Sequence, residues 1–179
     1  MAQEQTADQD MARKGAATLT ERLEELSARI PGVLGYRQRE ACRETDKSVR
    51  LRLAAGLEEL KRHIEKEQRR RTETHEFFHL ASLGRLTSKL DKLANLVRFA
   101  SRGYRGLFDA YKLSEEKLQR LYGFDVDLLD EVESLGNVVS VLCRPCDDDE
   151  LPQAIDQLDQ RLDGFAAVFS QRASVLGSE

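Results

Sequence analysis

Apolar residues recur at intervals of three or four along most of this chain, which is the period of one face of an α-helix. The longest series is apolar except for one aspartate: Leu118, Leu121, Asp125, Leu128, Val132, Leu135, Val139 and Leu142. A second series has the a/d spacing of a coiled coil: Leu83, Leu86, Leu90, Leu93, Val97 and Ala100. These two series predict two long amphipathic helices.

Three further apolar series predict three more helices. The first helix begins at Thr18 and Glu21, whose separation is that of a capping box, and ends at Pro31-Gly32. Its apolar face is Leu19, Leu23, Leu26 and Ile30. The next helix is expected to start near Tyr36 and to present Val49, Leu53, Leu57, Leu60 and Ile64. The last has Pro152 in its first turn and presents Leu151, Ile155, Leu158, Leu162, Phe165 and Phe169.

The polar segment 66–74 interrupts the apolar pattern without a glycine or a proline. We interpret it either as a helix that extends beyond the bundle or as a tight polar turn. The apolar series before and after it would be out of phase in one continuous helix, which favours two antiparallel helices. Gly103 and Gly106 mark a second break, and Ser114 is a suitable N-cap for the helix that follows.

Short connections between amphipathic helices predict an antiparallel up-and-down bundle, because an isolated amphipathic helix is marginal in water and must pack against its neighbours. The chain of 179 residues is therefore expected to form one all-α domain of four to five helices. We place this domain at residues 17–176, after a flexible N-terminal tail at residues 1–16.

Composition narrows the classes of protein to which this domain can belong. Hydrophobic residues make up 40 % of the chain and charged residues 34 %, which is too apolar for a disordered chain and too charged for a membrane protein. The net charge of −4 gives no indication of a nucleic-acid partner. Without a long apolar run or an N-terminal signal core, we expect a cytoplasmic protein with no transmembrane segment. Three cysteines fit reduced thiols better than a disulfide framework.

Two cysteines and two histidines are the candidates for a metal site. Cys143 and Cys146 form a Cys-x-x-Cys pair, and His75 and His79 are four residues apart, so that both rings can face one way on a helix. Two sulfur and two nitrogen ligands suit tetrahedral zinc. The alternative is that the histidines only flank two phenylalanines and the cysteines cap the core. A redox role for the cysteines is disfavoured, since they follow a helix beside an acidic run. No cofactor is expected.

Asp125 stands where the longest series predicts an apolar residue. A buried carboxylate needs a cation, water or a place at the end of the bundle. Arg98, Arg102 and Arg105 are the expected cationic partners. The favoured interpretation is a structural ion pair. The alternative is a pocket for a polar ligand, formed by Asp125, Arg102, Arg105 and Tyr122.

Arg69, Arg70 and Arg71 form a basic cluster that is a candidate interaction surface, for a protein or for anionic lipid headgroups. Glutamates interleave with these arginines, and we expect i, i+4 ion pairs to neutralise much of the charge: Glu58–Arg62 and Glu65–Arg69. The favoured interpretation of the segment is an ordinary solvated helix face. Aromatic residues for base stacking are absent from it, so nucleic acid is not expected as a partner.

The stretch GYRGLFDA at residues 103–110 is followed by LYGFD at residues 121–125, and IPGVLGY stands upstream at residues 30–36. In these stretches the chain resembles a group of uncharacterised bacterial helical-bundle proteins. The resemblance implies no activity and no catalytic residues. It does imply a bacterial, cytoplasmic protein with an interaction role alongside membrane-associated scaffold or stress systems.

The chain has no Walker A, dinucleotide-binding or His-Glu-x-x-His motif, and no acid, base and nucleophile stand together in it. We therefore expect a non-catalytic protein-interaction or scaffold module, not an enzyme, whose partner is another protein or a second copy of the chain. One alternative is a bundle with a buried polar ligand or metal site near Asp125 or the cysteine and histidine pairs. Another is a peripheral membrane adaptor.

Overall fold

A computed structural model describes residues 18–33, 39–100, 115–144 and 150–177 of the protein. These residues contain five α-helices: α1 (Leu19–Arg29), α2 (Arg39–Glu73), α3 (Leu80–Phe99), α4 (Glu115–Leu142) and α5 (Glu150–Gly177). No strand occurs in the described ranges, and the all-α prediction is confirmed. Tyr36, Gly103, Gly106 and Ser114 lie outside the described residues.

The ends of α1 follow the local signals in the sequence. Thr18 and Glu21 form the predicted capping box: the Thr18 hydroxyl accepts from the Glu21 backbone N–H at 3.3 Å, and the Thr18 N–H donates to the Glu21 carboxylate at 2.7 Å. The helix ends at the C-cap Ile30, directly before Pro31. Without the capping box, the N–H groups of Thr18 and Glu21 would be unsatisfied donors at the start of the helix.

Consecutive long helices run in opposite directions, as predicted. In the α2–α3 hairpin, Arg50 near the start of α2 donates to the Arg98 carbonyl near the end of α3, at 2.8 Å. Further along the same two helices, the Lys61 Nζ lies 2.5 Å from the Asp91 Oδ1. In the α4–α5 hairpin, Asp125 near the start of α4 pairs with a residue near the end of α5, Arg172.

The two hairpins lie side by side with α2 parallel to α4. The parallel direction follows from two contacts that come in the same order along both helices: Gly56 faces Val132, and the His63 carbonyl accepts from the Cys143 thiol at 3.7 Å. Because α3 is antiparallel to α2 and α5 is antiparallel to α4, α3 and α5 are also parallel. Helix α3 packs on α5 and helix α2 on α4, which closes a four-helix core.

The apolar series face this core. Fully buried members come from all five helices: Leu26, Val49, Leu53, Leu57, Ile64, Leu83, Leu90, Val97, Leu121, Leu128, Leu135, Leu158 and Leu162. Burying each such side chain contributes roughly 1.5–3 kcal/mol. The bundle is therefore held mainly by the leucine-rich faces that the sequence predicts.

The segment 66–74 is neither an overhanging helix nor a polar turn. Helix α2 continues through it to Glu73, and Glu67 and Arg71 are buried against the bundle. Their positions extend the apolar series of α2 beyond Ile64 by steps of three and four. The Glu67–Arg71 ion pair thus occupies two positions at which the spacing of the α2 series predicts apolar residues, so the run of apolar residues ends at Ile64.

Helix α1 lies against α4 and runs parallel to it. Arg29 at its end pairs with Asp130 at 2.6 Å, while Arg22 at its start covers Gly123, a position at which a side chain would collide with the guanidinium. In the described ranges, no helix has a stretch long and apolar enough to cross a membrane.

Candidate functional site

Asp125 is fully buried and lies in an ionic network with a residue that the sequence analysis did not name. The Arg172 Nε donates to the Asp125 carboxylate at 2.5 Å, and Arg172 is itself fully buried. The Arg172 Nη1 donates to Asp46 at 2.9 Å, and Asp46 also accepts from Arg50 at 2.8 Å. We call these four residues the aspartate–arginine network.

The network has the properties of a structural element. It contains two carboxylates and two guanidinium groups, so its formal charges cancel, and all four residues are buried. Arg50 extends it to the Arg98 carbonyl in α3, so the network joins α2, α3, α4 and α5. A buried pair of this kind is retained when each charge has its hydrogen-bond partners.

The expected partner Arg98 does not pair with Asp125. Its guanidinium binds Glu58 at 2.6 Å, and only its carbonyl joins the network. Arg102 and Arg105, the other expected partners, lie outside the described residues. Tyr122 is fully buried one turn before Asp125. The polar pocket proposed for these residues therefore stays a prediction.

A second ionic cluster surrounds Glu67 towards the opposite end of the bundle. The Glu67 carboxylate accepts from Arg71 at 2.7 Å and from Arg70 at 2.8 Å. Arg70 also donates to Glu76 at 3.3 Å. Burial alone would raise the pKa of Glu67, but the hydrogen bonds and charges of Arg70 and Arg71 outweigh it and leave that pKa below its ordinary value.

The prediction of a solvated basic face is therefore wrong for part of the cluster. Arg71 is buried, and Arg70 is neutralised by two carboxylates, whereas Arg69 is exposed. The expected ion pairs do not form either. Glu58 pairs with Arg98 and Glu65 lies 3.9 Å from Lys61, which leaves Arg62 and Arg69 without a carboxylate in the described part of the chain.

The proposed metal ligands are only partly described. His75 and His79 lie in the loop between α2 and α3 rather than on one helix face, and both have positive φ angles, 61° and 64°. Cys143 is half-buried beside the His63 carbonyl, and Cys146 lies outside the described residues. In the described ranges, no three histidine, cysteine or acidic side chains are placed to hold a metal ion.

The loop between α2 and α3 carries two exposed aromatic side chains at its apex. Phe77 is 60 % exposed and Phe78 is 82 % exposed. We call this pair the aromatic tip. The sequence pattern identifies the two residues only as neighbours of the histidines, because adjacent phenylalanines in a helical protein are usually buried in the core. The usable signal was that they fall between two helical series, separated by polar residues from the leucines of both.

The backbone beneath the aromatic tip is held by hydrogen bonds. The N–H groups of Thr74 and Glu76 donate to the carbonyls of Arg70 and Arg71, at 3.0 and 2.8 Å. The Thr74 hydroxyl donates to the Glu76 carboxylate at 2.9 Å, and the pKa of Glu76 is lowered by this bond and by its bonds to Arg70. The Phe77 ring also packs edge-on against His75, with the ring centres 5.9 Å apart.

These observations define the class of protein as an antiparallel bundle of helical hairpins with an exposed aromatic tip. No family model, no curated protein and no solved structure matches the chain. The resemblance at residues 103–110 and 121–125 therefore stays a prediction.

Proposed function

We propose that this protein is a non-catalytic protein-interaction module that docks on its partner through the aromatic tip. The observation that carries the proposal is the exposure of two adjacent phenylalanine rings at the apex of a helical hairpin. A large ring left in water forgoes roughly 1.5–3 kcal/mol of burial free energy, which a partner with an apolar pocket would recover. Aromatic residues are enriched at the centres of protein interfaces for this reason.

The hydrogen-bonded loop supports the same proposal, because a fixed backbone lowers the entropy lost on binding. Thr74 and Glu76 connect the loop to α2 through backbone and side-chain bonds. His75 and His79 adopt left-handed backbone conformations that non-glycine residues rarely occupy. Such conformations persist where the surrounding structure fixes them, and they are common at binding sites.

The charges next to the aromatic tip favour a protein over a lipid surface as the partner. Binding to anionic headgroups needs cations that are free to meet phosphate. Arg70 and Arg71 instead bind Glu67 and Glu76, and Glu73 adds an exposed carboxylate in the last turn of α2. Of the three arginines in the basic cluster, Arg69 alone has no carboxylate partner among the described residues. The partner we propose is a protein of the bacterial cytoplasm. Its association with membrane-bound scaffold or stress systems is the part of the proposal that the resemblance alone supports.

Quantitative affinity capture from the native cells tests the proposal. Wild-type protein is compared with the double variant Phe77→Ser/Phe78→Ser and with a matched control, Leu96→Ser/Phe99→Ser. Leu96 and Phe99 are also exposed, Phe99 at 59 %, but they lie on α3 away from the loop. We expect at least one protein to be captured by the wild type and the control and lost from the tip variant.

Two outcomes would contradict the proposal. Capture that is equal for the tip variant and the wild type would show that the aromatic tip is not the docking surface. Co-sedimentation with vesicles of zwitterionic and anionic lipid that depends on Phe77 and Phe78 would assign the tip to a membrane instead. Sedimentation equilibrium distinguishes a second copy of the chain from a different protein as the partner.

A further inference from the structure

A groove runs between α2 and α4 from the end of α1 to the last turn of α2. Its lower part, about 690 Å³, is bounded by Ala28 and Arg29 of α1 and has Gly56 and Gly136 in its walls. Its upper part, about 700 Å³, reaches Glu73 and Cys143. Both parts are lined by His63 and Ser140, so they form one continuous surface, which we call the α2/α4 groove.

Helix α1 lies in line with this groove. It packs along α4 with Leu26 fully buried and ends at Arg29, where the open groove begins. Helix α1 thus shows what kind of segment the surface beside α4 accepts: a short amphipathic helix that runs parallel to α4. The α2/α4 groove continues that surface without an occupant from the described residues.

The floor of the α2/α4 groove is apolar. Gly56 and Gly136 line it without side chains of their own, because Val132 and Leu60 of the facing helices lie against them, and Leu60 and Val139 supply buried apolar surface. From Gly56 to Glu73 the wall formed by α2 is about 25 Å long at 1.5 Å per residue, the length of a helix of about 17 residues.

The upper end of the α2/α4 groove is lined by three cations, Lys66, Arg69 and Arg70, and by the carboxylates of Glu67 and Glu73. Lys66 and Arg69 line it one turn apart on α2, and neither has an ion-pair partner within the described part of the chain. Their neighbour Arg70 is different, because Glu67 and Glu76 bind it. An occupant with carboxylates facing Lys66 and Arg69 would supply the missing partners.

We propose that the α2/α4 groove binds an acidic amphipathic helix from a second protein, with its apolar face over Gly56 and Gly136 and its carboxylates beside Lys66 and Arg69. The proposal rests on the proposed function as an interaction module, but it uses a different surface. Glu73 at the top of the groove is one residue from the loop that carries the aromatic tip, so one partner can contact both surfaces.

A display library of helical peptides of about 17 residues, with the residues of one face varied, tests this proposal on the full-length protein. Selected peptides are expected to combine apolar residues at helical spacing with aspartate or glutamate on the flanks. Their affinities are then measured by fluorescence polarisation against four matched variants.

Ser140→Trp places a large ring in the middle of the α2/α4 groove, and Ser170→Trp makes the same substitution at an exposed position of α5 outside it. Lys66→Glu/Arg69→Glu reverses the two groove cations, and Lys47→Glu/Lys92→Glu reverses two exposed lysines elsewhere. We expect Ser140→Trp and Lys66→Glu/Arg69→Glu each to weaken binding about tenfold or more, and the two controls to leave it unchanged.

Three results would overturn the groove proposal: no peptide enriched above background, selection of basic peptides, or peptides that bind the Ser140→Trp variant as tightly as the wild type. The variant Phe77→Ser/Phe78→Ser separates the two proposals, since it should keep its affinity for the peptides. If no peptide binds the groove while capture of a partner still depends on Phe77 and Phe78, only the groove proposal is wrong. If peptides bind the groove while capture does not depend on Phe77 and Phe78, only the docking role of the aromatic tip is wrong.

Discussion

Arg172 and Glu67 are charged residues in positions that leucine holds elsewhere in the same helices. Arg172 follows Phe169 by three residues on the buried face of α5, and Glu67 follows Ile64 by three on α2. Each is buried with opposite charges within hydrogen-bonding distance, which makes removal of one partner more costly than loss of a surface pair.

Replacing Asp125 by alanine tests the structural role of the aspartate–arginine network. Arg172 would lose the carboxylate that its Nε binds in a fully buried site, and we expect the free energy of unfolding to fall by about 3–5 kcal/mol. Chemical denaturation followed by circular dichroism measures this change. The control Asp159→Ala removes a half-exposed partner of Lys89, for which the loss should be about 1 kcal/mol or less. Equal losses for the two variants would contradict the structural role.

Glu67→Gln tests the second cluster through its dependence on pH. The pKa of Glu67 in the folded protein is below its value in the unfolded chain. The charged carboxylate therefore stabilises the fold at pH values above the ordinary glutamate pKa of about 4.3. This stabilisation is lost as the pH falls through the lower, folded-state pKa. We expect Glu67→Gln to lower the unfolding free energy by about 2 kcal/mol at pH 7. Denaturation at several pH values should show the difference from wild type shrinking below about pH 4. A difference that is constant with pH would contradict this assignment.

The distance between packed helices depends on a glycine at Gly56 but not at Gly164. A Cβ atom on Gly56 would lie 2.5 Å from the Val132 Cγ1, so α2 and α4 can approach each other here only without a side chain. On α5, a Cβ on Gly164 would meet no atom within 4 Å. The two glycines therefore differ in what they contribute, although both are in helix interiors.

Alanine at these two positions should have opposite effects. Gly56→Ala is expected to destabilise the protein by about 1 kcal/mol or more, because overpacking outweighs the gain in helix propensity. Gly164→Ala is expected to stabilise it by roughly 0.5–1 kcal/mol, since only the propensity changes. Thermal unfolding of both variants measures the two shifts. A stabilising Gly56→Ala would show that α2 and α4 are farther apart than described.

Helix positions and buried faces could be predicted from the sequence because the three-to-four spacing of leucines is a local signal. The partner of Asp125 could not, because Arg172 is distant in sequence and lies near the end of the chain, where the apolar series had already ended. The burial of Glu67 and Arg71 was hidden for a similar reason: charged residues at interior positions look like a solvated surface. The parallel alignment of α2 with α4 depends on contacts between the hairpins, which no periodicity within one helix encodes.

In the molecule as a whole, the ionic clusters and the proposed binding surfaces occupy different places. The aspartate–arginine network joins four helices near the start of α2 and the end of α5, whereas the aromatic tip is at the opposite end of α2. The Glu67 cluster lies directly beneath the tip, and Glu76 connects the two through its bonds to Arg70 and Thr74. This arrangement holds the two phenylalanine rings out from a well-packed bundle, which is the property that an interaction module needs.

Hydroxyl-radical footprinting of the captured complex is the most direct test of that docking surface, because it reports the exposure of individual side chains. Phe77 and Phe99 are almost equally exposed in the free protein, at 60 % and 59 %, so Phe99 is an internal reference. We predict that the partner strongly reduces the oxidation of Phe77 and Phe78 and leaves that of Phe99 unchanged. Unchanged oxidation of Phe77 and Phe78 in a saturated complex would contradict the account.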